Sequence, residues 1–220
     1  FAHVSCLAEQ AKILCAEAED NNLDVKVKQA RFTRWSTCGL CEQHYHGVVR
    51  CALGWACWKT YVGRPEADWN RRSAMRMLGG GLYAAGHYED ALSVQEAELL
   101  LMQRLGTPEE LLLATHANLA TTYASLGRHE QASQIERDVY SGRLKLHGEE
   151  HLQTLIAGLN YSASLVNLGR FETAKELSSK TLPVMRRVVG ESHEITLRMQ
   201  WNYAQSLYMD PATGLDGLHE

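Results

Sequence analysis

One short phrase occurs three times in this chain, and it constrains the fold more than any other feature. It consists of Gly, then Arg or His, then an aromatic residue or His, then Glu, any residue and Ala, and it begins at Gly86, Gly127 and Gly169. A second series of glycines lies between the copies, with spacings of 43, 42 and 42 residues, at Gly63, Gly106, Gly148 and Gly190. A period of this length indicates supersecondary units that cannot bury their own apolar faces and therefore stack around a shared core.

Helical patterns flank each phrase, and glycine is the residue preferred where a helix ends in a left-handed conformation. Small residues stand where paired helices must approach closely, at Gly79, Ala120 and Ser162. The fold class is therefore all-α, a solenoid of helical hairpins. The predicted helices are 66–84 and 87–104, 108–126 and 128–145, 150–168 and 170–188, and a single helix at 192–208.

The first unit is irregular, because 23 residues separate Gly63 from Gly86 where the later units have 21. We expect its first turn to absorb the difference. The run Gly79–Gly81 follows a helical pattern with no strand before it, so we interpret it as a place of close helix packing and not as a phosphate-binding loop.

Composition excludes several functions. The chain has 22 Lys and Arg against 26 Asp and Glu, and this formal charge of −4 is unsuited to binding nucleic acid. The most apolar run, Gly47–Val62, carries two charges and is shorter than the roughly 20 residues of a membrane span. No phosphate-loop, zinc-protease or serine-hydrolase motif occurs, so no residue is assigned a catalytic role. Because the chain begins at Phe1 and stops within an expected repeat, we interpret it as part of a longer protein.

Two pairs of candidate metal ligands lie near the amino terminus, His3 with Cys6 and Cys38 with Cys41. A two-residue spacer lets both side chains of a pair reach one tetrahedral zinc ion, but a structural zinc needs four ligands. The two pairs could close one site, or each could be half of a different site. The other internal cysteines, Cys15, Cys51 and Cys57, are predicted to fill the core. Six cysteines without a secretory leader favour a reducing, cytoplasmic location.

The residues around these pairs, HVSCL from His3 and CGLCEQ from Cys38, resemble the second half of a RING-CH zinc finger. That resemblance implies two zinc ions in a cross-brace, with His3 and Cys6 on the first zinc and Cys38 and Cys41 on the second. The partner ligands would precede Phe1. It also implies ubiquitin-ligase activity, in which the finger recruits a ubiquitin-conjugating enzyme. Two departures are the long spacer, which suggests an inserted loop around Glu19–Lys28, and Gln10, where the family has a tryptophan that grips that enzyme.

A bridging helix is predicted at residues 46–63, as the second helix of a degenerate leading unit. Five positions recur at helical spacing and are predicted to form its core face: Val48, Cys51 or Ala52, Trp55, Trp58 and Val62. The alternative is a paired-tryptophan aromatic site.

The repeats resemble the tetratricopeptide repeat, and the loops LHGEEHLQTL and VVGESHEITL are similar to those of the kinesin light chain subtype. The resemblance implies a right-handed superhelix whose first helices line a concave groove. It also implies that the groove asparagines bind the backbone of an extended peptide, and Asn118, Asn160 and Asn202 occupy that position, whereas the first unit has Met77. The alternative is that these asparagines are solvated or hydrogen-bonded between helices.

The sequence thus predicts three segments: a partial finger at residues 1–45, the bridging helix at 46–63, and repeats at 64–220. The predicted function is a scaffold that binds a partner's extended peptide and carries a zinc-binding finger. The alternative is a ubiquitin ligase whose repeats select substrate. A purely structural role becomes preferable if the groove is apolar and blocked. A kinesin light chain function does not follow, because the repeat serves many unrelated proteins.

Overall fold

The structure, a computed structural model, describes residues 3–211, in which the chain forms ten α-helices and one short 3-10 helix. It divides into two compact units, Phe1–Gly106 and Thr107–Glu220. The first unit contains α1 (Val4–Asp20), α2 (Val25–Phe32), the 3-10 helix (Thr33–Trp35), α3 (Gly47–Tyr61), α4 (Trp69–Ala84) and α5 (Tyr88–Arg104). The second contains α6 (Glu109–Ser125), α7 (His129–His147), α8 (Leu152–Asn167), α9 (Phe171–Val188) and α10 (Glu194–Met209).

The second unit consists of two helical hairpins, α6 with α7 and α8 with α9, followed by α10. Each hairpin turns at the predicted glycine, and Gly127 and Gly169 have φ values of 74° and 70°. The residue after each glycine closes the helix end, because the Arg128 amide donates to the Tyr123 carbonyl at 2.9 Å and the Arg170 amide to the Leu165 carbonyl at 2.9 Å. The predicted all-helical solenoid is confirmed, and no strand occurs within residues 3–211.

Apolar side chains from three consecutive helices form the main core of the second unit. The cluster comprises Leu155 and Leu159 of α8, Leu182 and Met185 of α9, and Ile195 and Met199 of α10. The predicted close approach at Ser162 is present, since its side chain is fully buried and lies 2.9 Å from the Ser178 hydroxyl of α9. This pair satisfies two buried hydroxyl groups with each other.

Glycines allow the backbones of α3 and α4 in the first unit to pack directly against each other, because no side chain separates them there. A β-carbon on Gly81 would lie 2.9 Å from the Arg50 carbonyl oxygen and 3.0 Å from the Cys51 α-carbon. A β-carbon on Gly54 would lie 2.9 Å from the Met77 carbonyl oxygen. The interpretation of Gly79–Gly81 as a site of close packing is therefore confirmed at Gly81.

The face that α3 buries agrees only in part with the predicted one, since Cys51 and Trp58 pack against core clusters and other predicted residues do not. Leu53, Cys57 and Tyr61 are almost fully buried, whereas Val48 is 76% exposed and Trp55 is 44% exposed. The prediction was wrong at Val48 and Trp55 because α3 is apolar around most of its circumference, so periodicity does not select a face. Gly54 selects it instead, since α4 can come close only on that side.

The first 45 residues also differ in one place from expectation. Residues 25–32 form α2 and are not part of an inserted loop around Glu19–Lys28. Asp24 begins this helix by accepting hydrogen bonds from the Lys26 and Val27 amides at 2.8 and 3.1 Å. A core cluster joins α1, α2, α3 and α4, and Cys15 and Cys57 are buried in it as predicted.

The extra residues of the first repeat lie before α4, in the loop 62–68, as the spacing predicted. Within this loop Arg64 forms a bidentate ion pair with Glu19 of α1, at 2.7 Å to each carboxylate oxygen. None of the helices within residues 3–211 has the length and apolar character needed to cross a membrane.

Candidate functional site

A polar stripe runs along α6 on the side that carries the first predicted groove asparagine. It is formed by four exposed residues at helical spacing, Ala114, Asn118, Thr121 and Ser125. The residues in the same register are Ile156, Asn160, Ala163 and Asn167 on α8, and Arg198, Asn202, Gln205 and Met209 on α10. We call these twelve residues the asparagine face. It contains a single charged side chain, that of Arg198, and it is mostly polar.

The three asparagines differ in accessibility along this face. Asn118 is exposed, Asn160 is half-buried, and Asn202 is only 8% exposed. The Asn202 amide group donates to the Leu159 carbonyl oxygen of α8 at 3.3 Å. Asn202 therefore makes a contact between helices, while Asn118 presents its amide to solvent. An amide has two donor hydrogens and an acceptor oxygen, so one such bond does not use its full capacity.

A buried carboxyl group that sequence reasoning missed lies on α7. Glu136 is 8% exposed and accepts a hydrogen bond from the hydroxyl of Ser164 on α8, itself 6% exposed. Burial raises the pKa of Glu136 to about 7, although the Ser164 hydrogen bond acts in the opposite direction. One signal was available in the sequence, because the position nine residues after each turn glycine carries a polar residue in all three units, at Gln95, Glu136 and Ser178.

Histidines of the repeat loops have a structural role that the sequence analysis did not assign. The Nδ1 atoms of His151 and His193 accept hydrogen bonds from the Gln153 and Ile195 amides, each at 3.3 Å. These two histidines thus cap the amino termini of α8 and α10, where the first amides have no partner within the helix. This capping explains why the two similar loops both have a histidine at this position.

Cys38 and Cys41 lie in a tight turn after the 3-10 helix. The Leu40 amide points at the Cys38 sulfur at 3.5 Å, and the Cys38 amide donates to the Gln43 carbonyl at 2.9 Å. Hydrogen bonds from the Cys41 and Leu40 amides lower the pKa of the Cys38 thiol. Amides directed at a sulfur stabilise a thiolate, which is the form that binds zinc. The turn therefore fits one half of a zinc site.

His3 and Cys6 are exposed at the start of α1. Within residues 3–211, no three His, Cys, Asp or Glu side chains come together as metal ligands. The structure thus does not bring the two pairs together into one closed site. All six cysteines are free thiols.

Comparisons with known proteins agree with this architecture. Residues 112–153 match the family model of the tetratricopeptide repeat. The structure is similar to two crystal structures of nearly identical TPR-like repeats from a Podosopora anserina protein assigned as a kinesin light chain, one of them carrying a single substitution. Each has a TM-score of 0.62 and 17% identity over 96% of this chain and 90% of the other.

A third similar structure is BtubC (BKLC) from P. vanneervenii, with a TM-score of 0.51 and 15% identity over 100% of this chain and 78% of that chain. A search of curated proteins gave no match. Residues 112–153 are thus similar to a tetratricopeptide repeat, and the chain has the helical-repeat fold of these TPR-like structures.

Proposed function

We propose that the second unit binds an extended segment of a partner protein along the asparagine face. The observation that carries this proposal is the polar, accessible stripe of α6, with Asn118 exposed at its centre. An extended peptide offers backbone amide and carbonyl groups at regular intervals, and an asparagine side chain can pair with both. The predominantly polar character of the face also disfavours a purely structural role, which an apolar and blocked groove would have supported.

The asparagines contribute unequally in this proposal. Asn118 and Asn160 bind the peptide backbone, because they are the more accessible pair. Asn202 orients α10 against α8 through its bond to Leu159 and offers its remaining hydrogen-bonding capacity to the peptide.

The double variant Asn118→Ala plus Asn160→Ala is expected to weaken binding of a peptide selected from a displayed random library by about tenfold or more. Two lost hydrogen bonds at about 1 kcal/mol each account for this magnitude. The melting temperature should stay nearly unchanged, because alanine has the higher helix propensity. Titration calorimetry and thermal melting measure the two effects.

Asn202→Ala provides the matched contrast, since it removes a buried contact between helices and should lower the melting temperature. Unchanged peptide affinity in the double variant, or a large loss of stability in it, would contradict a binding role for Asn118 and Asn160.

We further propose that His3 and Cys6, and separately Cys38 and Cys41, each supply half of a zinc site. The fit of the Cys38 turn supports this, because its amides already face the sulfur. When bound, zinc would crosslink the turn to ligands outside each pair and stabilise the finger.

The 220-residue chain should therefore bind zinc weakly, whereas a chain carrying the upstream ligands should hold two zinc ions tightly. The variant Cys38→Ser plus Cys41→Ser should lose one of the two. Elemental analysis after dialysis measures the stoichiometry, and Cys51→Ser is the control at a cysteine outside both pairs. Absence of zinc in the longer chain, or two zinc ions retained in the double variant, would refute the proposal that these residues belong to a zinc finger.

Ubiquitin-ligase activity depends on this finger and is the weaker hypothesis. Gln10, at the position of the family's tryptophan, is exposed on α1 and offers no aromatic anchor for a conjugating enzyme. A cytoplasmic location is part of the proposal, since the free thiols are suited to a reducing compartment.

A further inference from the structure

The last described helix of the second unit exposes an apolar stripe. Leu197, Trp201 and Tyr208 of α10 are 51%, 69% and 79% exposed, and Ala204 between them is also exposed. These four residues are spaced by four, three and four positions, so they lie along one side of the helix. We call them the α10 stripe. Isolated exposed apolar residues are ordinary, but a continuous row that includes two aromatic rings indicates an interaction surface.

The positions that form the α10 stripe are buried in the preceding repeat. The residues 42 positions earlier, on α8, are Leu155, Leu159, Ser162 and Val166, and they are 1%, 2%, 0% and 4% exposed. Side chains of α9 and α10 cover the two leucines, including Leu182 and Met199. The α10 stripe therefore occupies the positions that pack between helices in the preceding repeat. On α10, the last described helix, the same positions are exposed.

We propose that the α10 stripe binds the same stripe of a second copy of this chain, with the two α10 helices antiparallel across a twofold axis. Leu197 and Tyr208 are equidistant from the midpoint between Asn202 and Tyr203, and so are Trp201 and Ala204. An antiparallel pair centred there places Leu197 against the partner's Tyr208. It also places the large Trp201 against the partner's small Ala204.

This pairing meets the requirement of a twofold interface, in which the same patch must complement itself. A tryptophan opposite an alanine lets the helices approach to roughly 8–10 Å, as ridges on one helix fill grooves on the other. The stripe contains no charged side chain, so two copies bring no like charges together at its centre. The neighbouring Arg198 is paired within its own helix, with Glu194 at 3.7 Å.

The interface is small, which determines the behaviour we expect. Two leucines, two tyrosines and two tryptophans, with aromatic side chains of roughly 150–250 Å² each, bury on the order of 1,000 Å² in total. That area lies at the lower end for specific complexes, so dimers should form reversibly and depend on protein concentration.

Sedimentation equilibrium over a concentration series of the 220-residue chain tests the proposal. The wild-type mass should rise from one chain to two, and Trp201→Glu should raise the dissociation constant at least about tenfold, as loss of a central aromatic anchor does. Leu100→Glu is the matched control, because Leu100 is 67% exposed on α5 and lies outside the stripe. Ala204→Glu is a second variant with the same expected effect, in case Trp201→Glu folds poorly by circular dichroism.

The antiparallel geometry has its own test. A mixture of Leu197→Cys and Tyr208→Cys proteins should form a disulfide-linked heterodimer under mild oxidation, whereas neither variant alone should crosslink above the wild-type level. A wild-type chain that stays monomeric at all concentrations would overturn the proposal. A dimer that is insensitive to both glutamate variants, or crosslinking of Leu197→Cys alone, would overturn it as well.

Discussion

Gly81→Val is expected to lower the free energy of unfolding of the first unit by about 3 kcal/mol, near the upper end for overpacking. The reason is that a β-carbon at this position would meet backbone atoms of α3, the Arg50 carbonyl oxygen at 2.9 Å and the Cys51 α-carbon at 3.0 Å. Backbone atoms inside a helix cannot move aside as the end of a flexible side chain can, so α3 and α4 must separate. Denaturant titration followed by circular dichroism measures the loss.

Gly63→Ala is the matched control, since a β-carbon on Gly63 has no atom within 4 Å. It should leave the free energy of unfolding within about 0.5 kcal/mol of wild type, as surface substitutions usually do. Wild-type stability in Gly81→Val would show that α3 and α4 do not pack through these glycines.

Stability of the second unit is expected to fall as the pH rises from about 5 to 8, through Glu136. Burial raises the pKa of Glu136 from an ordinary 4.5 to about 7, so the folded state holds its proton more tightly than the unfolded state. The stabilisation is complete below the unfolded pKa and is lost as the pH passes through the folded pKa. A shift of this size corresponds to about 3 kcal/mol as an upper bound.

Glu136→Gln should remove this part of the pH dependence, because an amide keeps a hydrogen-bonding group beside Ser164 without a titrating proton. The difference in unfolding free energy between wild type and variant should therefore change across this range. Glu98 is also buried, and desolvation raises its pKa, so the wild-type slope alone does not isolate Glu136. Glu149→Gln, at an exposed carboxylate, is the control. A pH-independent difference between wild type and Glu136→Gln would show that Glu136 does not cause this pH dependence.

The repeat pattern predicted most of the fold. Glycines at Gly127 and Gly169 located the turns because a positive φ is required there, and the 42-residue register then located the helices on either side. The buried face of α3 was not predictable in this way, since a helix that is apolar on most sides leaves the choice to its neighbours. The buried face is determined by the close approach of α4 at Gly54. This contact involves Leu78, which lies 24 residues further along the chain.

The candidate site was predictable in its register and less so in its details. The sequence places three asparagines at one position of the repeat, but accessibility depends on which helices flank each one. Asn202 is held by a carbonyl of α8, whereas Asn118 is exposed. The buried pair of Glu136 and Ser164 was missed because charged residues on a second helix are ordinarily solvated, and nothing local marks this one as enclosed.

The most direct test of a peptide-binding asparagine face is the crystal structure of this protein with a library-selected peptide. An extended peptide is expected along α6 and α8, with side-chain amides of Asn118 and Asn160 hydrogen-bonded to peptide backbone groups at about 2.9 Å. A peptide bound to α7 and α9, or one that contacts neither asparagine, would show that the asparagine face is not the peptide-binding site.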